Sequence, residues 1–512
     1  MTVYYNGKIF ADDKFHTALA VEGEIISAAG GSELLERHPA AEKVDLEGRL
    51  VLPGFNDSHL HLFEYALEKS RLSLRAARSA AEVIAAGRMR LKKTRDIVVG
   101  VGYNDALFAG SRPLTRDDLD KISADAPVIV YRVCGHAAVC NGAALRRAGL
   151  DGATGDLVDS ASGIAREQAL ELLKPLTEVS DAGEIKALLR DGIRDLYRHG
   201  ITSVGSNDID DENYEAVARA YRELYRGATP RVRVNLQATI SSEAALSELA
   251  GLLPATDSYL RLGAVKVFAD GSLGAKTAYL KENYRGENHR GILTLPEEEL
   301  ARVVRMAAGF RLPVLVHAIG DGAIDIALRV LSANKQALRL GSGVVHAQVT
   351  DKKQLKIFRD KKIRVFVQPA FINTDVAFLS DRVGRERAET SYAFGTLYRD
   401  TVAAFGSDAP VESANPFRGL FCAVARSDFE GRKYLNPAEA LTLKEAVMAY
   451  TAGGAEATGE KHVKGKLKAG YYADFIVLDT DIFSSPPAAL LDAKVVMTVV
   501  GGKIVYRNSV RL

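Results

Sequence analysis

Residues 50–61 read LVLPGFNDSHLH, an apolar run (50–56) that ends in a polar turn carrying Asp57, His59 and His61. In extended backbone, residues i and i+2 point the same way, so His59 and His61 present their imidazoles to one side. That arrangement can give two ligands to one metal ion, although an isolated HxH pair is more often a surface or core feature.

Working outward, seven further β-branched apolar runs end in similar turns: 201–205, 232–238, 263–269, 313–318, 343–347, 363–368 and 402–407. Helical spacing lies between most of them, as at 297–310 and 322–332. Buried parallel strands that alternate with helices indicate an α/β fold, and eight of them indicate a (β/α)8 TIM barrel. The gap between the first two runs is far longer than a crossover needs. It holds helical segments and a strand at 127–133, and reads as an inserted α+β subdomain over the barrel mouth. Both chain ends read as β-structure, at 4–50, 473–478 and 495–506, with a turn at Gly501-Gly502. The first fifteen residues suggest two short strands about Asn6-Gly7. The expected organisation is a composite β-sandwich from 1–55 and 461–512, a barrel from 56–65 and 196–460, and an inserted lid from 66–195.

In the barrel class the chemistry sits at the C-terminal ends of the strands. The fifth run ends in His317, the sixth in His346 and the eighth in Asp408. Four of the ten histidines thus occupy strand ends, with a carboxylate to complete a mixed nitrogen and oxygen shell. Such a shell suits Zn²⁺, Mn²⁺ or Fe²⁺.

Composition narrows the class. Hydrophobic residues make up 47% and charged residues 26%, as in ordinary globular enzymes. The 67 basic and 65 acidic residues are mixed along the chain, so no basic arm supports nucleic-acid binding. The start lacks the pattern of a signal peptide, and no apolar run is long enough for a membrane span. Cys134, Cys140 and Cys422 form no disulfide framework or zinc pattern and read as small buried residues. The expectation is a cytoplasmic enzyme with a small-molecule substrate and neither nucleic-acid nor membrane partner; assembly as a homo-oligomer is compatible with it.

The motifs PGFNDSHLH (53–61), GAVKVFADGSLGAKTA (263–278), VLVHAIGD (314–321), VVHAQ (344–348), Gln368-Pro369, GSDAPV (406–411) and GKLKAGYYADFIVLD (465–479) resemble the amidohydrolase superfamily. More narrowly the chain is similar to the branch that includes N-substituted formamide deformylase. Gly102-Tyr-Asn-Asp105 and Arg132-Val-Cys-Gly-His136 resemble signatures of that branch. The resemblance implies a binuclear centre, with two Zn²⁺ ions expected first and Mn²⁺ or Fe²⁺ as alternatives. It places His59 and His61 on one ion, His317 and His346 on the other, and Asp408 beside the water. Lys266 would bridge them, carboxylated by CO₂. An inward lysine beside cations is opposed as an ammonium by burial and by charge, and as a neutral amine it can capture CO₂. Three positions depart from many relatives: Val345 for an acidic residue, Lys276 for arginine and Ser206 near an expected histidine.

The resemblance further implies hydrolysis of a C–N bond, most simply of an open-chain N-acyl or N-formyl amine. Asp408 would carry the proton, and the metal, with His136 or His346, would stabilise the oxyanion. Candidate substrate-binding residues are His136 as a lid residue, Asp270, Gln368 and Tyr103 with Asn104; each also has a packing or capping explanation. The rival readings are a mononuclear deaminase or cyclic-amide hydrolase, and a non-catalytic regulatory or ligand-binding relative.

Overall fold

A ladder of eight parallel strands forms the barrel in the computed structural model, which describes all residues except 95, 109–111, 134–135, 228–230, 254–256, 435 and 509–512, and the side chains of 93 and 94. The strands are β1 (Phe55–Leu60), β2 (Ile201–Asp210), β3 (Arg233–Thr239), β4 (Leu260–Phe268), β5 (Val314–Ala318), β6 (Gly343–His346), β7 (Arg364–Val367) and β8 (Ala403–Phe405). They pair in chain order. The ends of the ladder are tied where Asp408 N donates to His59 O and His61 N to Ala409 O, both at 2.8 Å. Asp57 strengthens the seam, its Oδ1 accepting from Ser407 N at 2.9 Å.

The helices follow from apolar periodicity. Tyr214–Leu224 buries Val217, Ala218, Ala220, Tyr221 and Leu224, one face of a 3.6-residue turn. Inside the barrel, Ala264, Leu315, Val345, Phe366 and Ala404 pack as one apolar cluster. Two residues further along β4 and β5 come Lys266 and His317, which alternation sends to the same interior.

The first apolar run is divided. Leu50–Pro53 is a strand of the terminal sheet, paired with Phe475–Leu478, and the barrel strand starts only at Phe55. Gly54 makes the transition possible: a Cβ there would lie 2.2 Å from Thr202 Oγ1. The terminal β-unit is an eight-stranded hydrogen-bonded sheet whose core joins Tyr4, Val21 and Val51 to Phe475 and Met497. Its N-terminal hairpin differs from the sequence expectation. Thr2–Ala11 is one strand with a register shift between Tyr5 and Ile9, and the turn falls at Asp12-Asp13, both at positive φ.

Tyr65–Leu188 forms a compact unit of its own. Its six-stranded sheet includes Val98–Tyr103, Val128–Arg132 and Ala137–Cys140. The unit ends inside the helix Ala182–Arg198, whose last turns lead into β2. Cys140 and Cys422 are free and buried, whereas Cys134 lies outside the described residues. Among the described residues no helix is long and apolar enough to cross a membrane.

Candidate active site

His59, His61 and Asp408 meet at the seam between β1 and β8. Asp408 Oδ1 lies 3.3 Å from Nε2 of both histidines, and ligand atoms of the three residues fall within 4.8 Å of one another. Each ring is turned by a partner behind it. His59 Nδ1 faces Gln237 Oε1 at 2.7 Å, and the Gln237 amide is oriented by donating to Ser58 O. His61 Nδ1 donates to Asn207 O at 2.8 Å. On β6, His346 Nδ1 faces Gln368 Oε1 at 2.7 Å, with Gln368 Nε2 donating to Phe366 O. Because each partner is an acceptor, Nδ1 carries the proton and Nε2 keeps its lone pair in all three rings. His317 is reversed: Nε2 donates to Gly271 O at 3.1 Å, which leaves Nδ1 bare. The His317 and His346 rings are 4.5 Å apart, and His346 is 5.8 Å from His59.

With Nδ1 protonated towards Gln368, His346 turns its Nε2 lone pair to the site. The backbone pays attention to placing these groups: His346 (φ 76) and Asp408 (φ 59) both sit in the left-handed region that side chains other than glycine rarely adopt. Strand alternation alone would put Val345, not His346, in the interior phase, and the left-handed turn brings the imidazole to its neighbours. Such outliers concentrate at functional sites.

Electrostatics agree with a cation-binding role. Burial pushes the His346 imidazole down to about 3 and His317 well below its ordinary range, so both are neutral and able to ligate. Asp408 Oδ1 is a buried acceptor with no hydrogen-bond donor. A carboxylate oxygen without a donor, faced by bare imidazole nitrogens, fits a divalent cation.

Lys266 is fully buried, and its Nζ has no hydrogen-bond partner and lies 3.5 Å above the Phe268 ring. Its charge acts on His59, His61, His317 and His346. Burial pushes its ammonium down to about 7, against the attraction of Asp408 and Asp270. Two sequence candidates take supporting positions. Asp270 accepts from the backbone amides of Ile319, Gly320 and Tyr279 at 2.8–3.0 Å and approaches His317 Nε2 at 3.4 Å. It is 3% exposed, so it fastens the loops around His317 and offers little to a substrate. Gln368 stands behind His346. Gln237, which sequence reasoning passed over, has the same relation to His59; its only signal was a polar residue near the end of the third run.

The remaining candidates lie in the unit Tyr65–Leu188. The His136 side chain is 72% exposed, and Nδ1 is 3.3 Å from Glu167. Tyr103 is buried in that unit's core with Phe108 and Val130. Asn104 caps a short helical turn by accepting from Ala106 N. In the barrel, a cavity of about 290 Å³ beside His61 is lined by Phe63, Asn207, Asp208, Thr239 and Phe268. Ser206, at the position that departs from many relatives, donates to Asp208 and accepts from Leu62 N, and so helps to shape this wall. Lys276 pairs with Glu287, and Val345 joins the apolar interior.

A model of the amidohydrolase family matches residues 42–506. The chain belongs to the amidohydrolase family. It is 33% identical to YtcJ of Bacillus subtilis over 96% of both chains. It is 25% identical to the N-substituted formamide deformylase of Arthrobacter pascens, over 92% of this chain and 91% of the other. In structure it is similar to an uncharacterized metal-dependent hydrolase from Pyrococcus furiosus, with 32% identity, a TM-score of 0.79, and coverage of 95% of this chain and 99% of that one. This amidohydrolase is therefore a barrel hydrolase of carbon–nitrogen bonds whose family implies a divalent metal.

Proposed function

We propose that this amidohydrolase cleaves a small open-chain N-acyl or N-formyl amine into an acid and an amine at a centre for two Zn²⁺ ions. His59 and His61 would hold one ion and His317 and His346 the other, with carboxylated Lys266 between them and Asp408 completing the shell. The observation that carries this reading is Lys266: a buried lysine without a hydrogen-bond partner, whose charge acts on the imidazoles of His59, His61, His317 and His346. As an ammonium beside cations it would be opposed by burial and by charge; as a carbamate it supplies two anionic oxygens. A bound divalent ion lowers the pKa of water towards ~7 and polarises a carbonyl.

The chain's own residues do the rest. The Asp408 carboxylate takes the proton of the attacking water and returns it to the departing nitrogen, serving first as base and then as acid. Gln237, the Asn207 carbonyl and Gln368 keep the rings from rotating, so that the lone pairs stay directed. The cavity beside His61 offers the substrate a wall of Phe63 and Phe268. The open-chain preference rests on the likeness to the deformylase.

The test is a panel of N-formyl amines, N-acyl amines, hydantoins, lactones and ring amidines, assayed with Zn²⁺- and Mn²⁺-loaded protein. Metal analysis and ¹³C NMR after incubation with labelled bicarbonate would accompany it. Turnover of open-chain amides, two ions per chain and a carbamate resonance are expected. One ion per chain with an unmodified lysine in excess metal and bicarbonate would move the enzyme to a single-ion deaminase, for which the cluster of His59, His61 and Asp408 alone would serve.

A further inference from the structure

A cavity of about 450 Å³ lies among the N-terminal ends of β4, β5 and β7, the opposite end of the strands from the histidines. Arg261, Arg311 and Arg364 line it, and among the described residues no acidic side chain does. The charges of the three are not equally occupied. Arg261 pairs with Glu460 at 2.8 Å. Arg311 is exposed at the rim. Arg364 is half-buried, makes one hydrogen bond, to Ala457 O at 2.7 Å, and has no ion pair among the described residues. A guanidinium carries five donors, so most of its capacity is unused.

The backbone makes room for these polar groups. Gly341 has φ 93, and a Cβ there would stand 1.8 Å from Arg364 Nη1. A Cβ on Gly263 would stand 1.3 Å from Asn235 Oδ1. Asn235 lines the same cavity, is 8% exposed, and its Oδ1 has no hydrogen-bond partner. A half-turn of that amide would offer N–H groups to an anion. The other walls are apolar and include Leu253, Phe310 and Phe366. The volume lies within the ~300–1,000 Å³ typical of small-molecule sites, which combine apolar walls with a few placed polar groups.

We propose that this cavity is a second ligand site, which takes an organic monocarboxylate with its apolar body against Leu253, Phe310 and Phe366 and its carboxylate on Arg364. A carboxylate suits the planar fork of an arginine, and a neighbouring amide can complete its hydrogen bonding. The site is separate from the metal cluster, yet one side chain belongs to both: Gln237 lines the cavity and holds His59. Occupancy does not depend on which bond the metal site cleaves.

Calorimetric titration of octanoate into the full-length, metal-loaded enzyme tests the site, with 1-octanol as an uncharged body and inorganic phosphate as a charge without a body. Saturable binding of one octanoate per chain is expected, at least about 10-fold tighter than either control. Arg364→Met should weaken it about 10-fold or more, because the anion loses its charged partner. Ala250→Trp, at an exposed position of the helix that borders the cavity, should block it comparably while leaving the core untouched. It stands as the test if Arg364→Met fails to fold. Equal affinity for octanol would show an apolar cleft and overturn the proposal. So would the absence of saturable octanoate binding, or octanoate binding that neither variant weakens, which would place the carboxylate on the catalytic metal.

Discussion

In the proposed mechanism Asp408 serves both metal binding and proton transfer, and the two can be separated by a single atom. Asp408→Asn keeps the size of the side chain and leaves the four imidazoles in place, but the amide can neither take nor return a proton. The expected outcome is a loss of kcat of about 10²-fold or more with metal content nearly intact. Near-normal turnover in a fully metallated variant would remove Asp408 from its role. Away from the centre, Asp375 gives a prediction about stability. Its carboxyl accepts a hydrogen bond from the Tyr392 hydroxyl, and burial pushes it up from 3.8 to about 6. Below the unfolded value the carboxyl is protonated in both states. Between about 4 and 6 the unfolded chain ionises first, binds fewer protons than the native state, and stability falls as pH rises. The displacement corresponds to about 3 kcal/mol. Asp375→Asn keeps an acceptor for Tyr392 without the charge, so it should be more stable than the parent above pH 6 and lose that advantage near pH 4. Urea unfolding at the two pH values checks this; a pH-independent difference would contradict it.

Among the elements, β3 is joined to the C-terminal strands by charge as well as by packing. Arg233, near the start of β3, donates to both oxygens of Asp474 at 2.6 and 3.1 Å, and its guanidinium lies 3.7 Å from the Tyr472 ring. Asp474 Oδ1 also accepts from Gly501 N, at the turn between the last two strands. Both side chains are nearly sealed from solvent. Removing one partner leaves an uncompensated buried charge, so Asp474→Ala should cost about 3–5 kcal/mol. The paired change Arg233→Met with Asp474→Leu should recover much of that loss, since a packed apolar pair can replace a buried ion pair. Chemical denaturation of the parent and the two variants checks both expectations. A double variant as unstable as Asp474→Ala would show that the hydrogen bonds to Gly501 and the tyrosine stacking matter more than the charge. Nothing in the apolar run 50–56 or in the lone Arg233 announces this junction, because it is made by residues more than two hundred positions apart.

At the scale of the molecule, the barrel was legible because parallel strands are buried on both faces and therefore appear as repeated apolar runs. The residues of the candidate site stood out for a related reason: polar groups at the ends of such runs have few structural explanations. What escaped was set by contacts across strands. Gln237 lies in a run the sequence displays, but its task depends on His59 being opposite, and the split at Gly54 depends on the crowding of Thr202. His346 faces inward through a backbone angle that no alternation pattern foretells. The same cross-strand construction predicts that a metal held at the proposed site stabilises the whole barrel. The proposed ligands come from β4, β5 and β6 and from the segments that end β1 and β8, and the last two form the seam at which the ladder closes. An ion bound only by the folded chain, and present at about 1,000 times its Kd, stabilises it by about 4 kcal/mol. Chelation should therefore lower the calorimetric transition temperature, and Zn²⁺ added back should restore it. His59→Ala should show a smaller response, because the seam has already lost a ligand. If chelation empties the protein of metal by direct analysis while the transition stays where it was, the ions contribute to chemistry without holding the barrel closed.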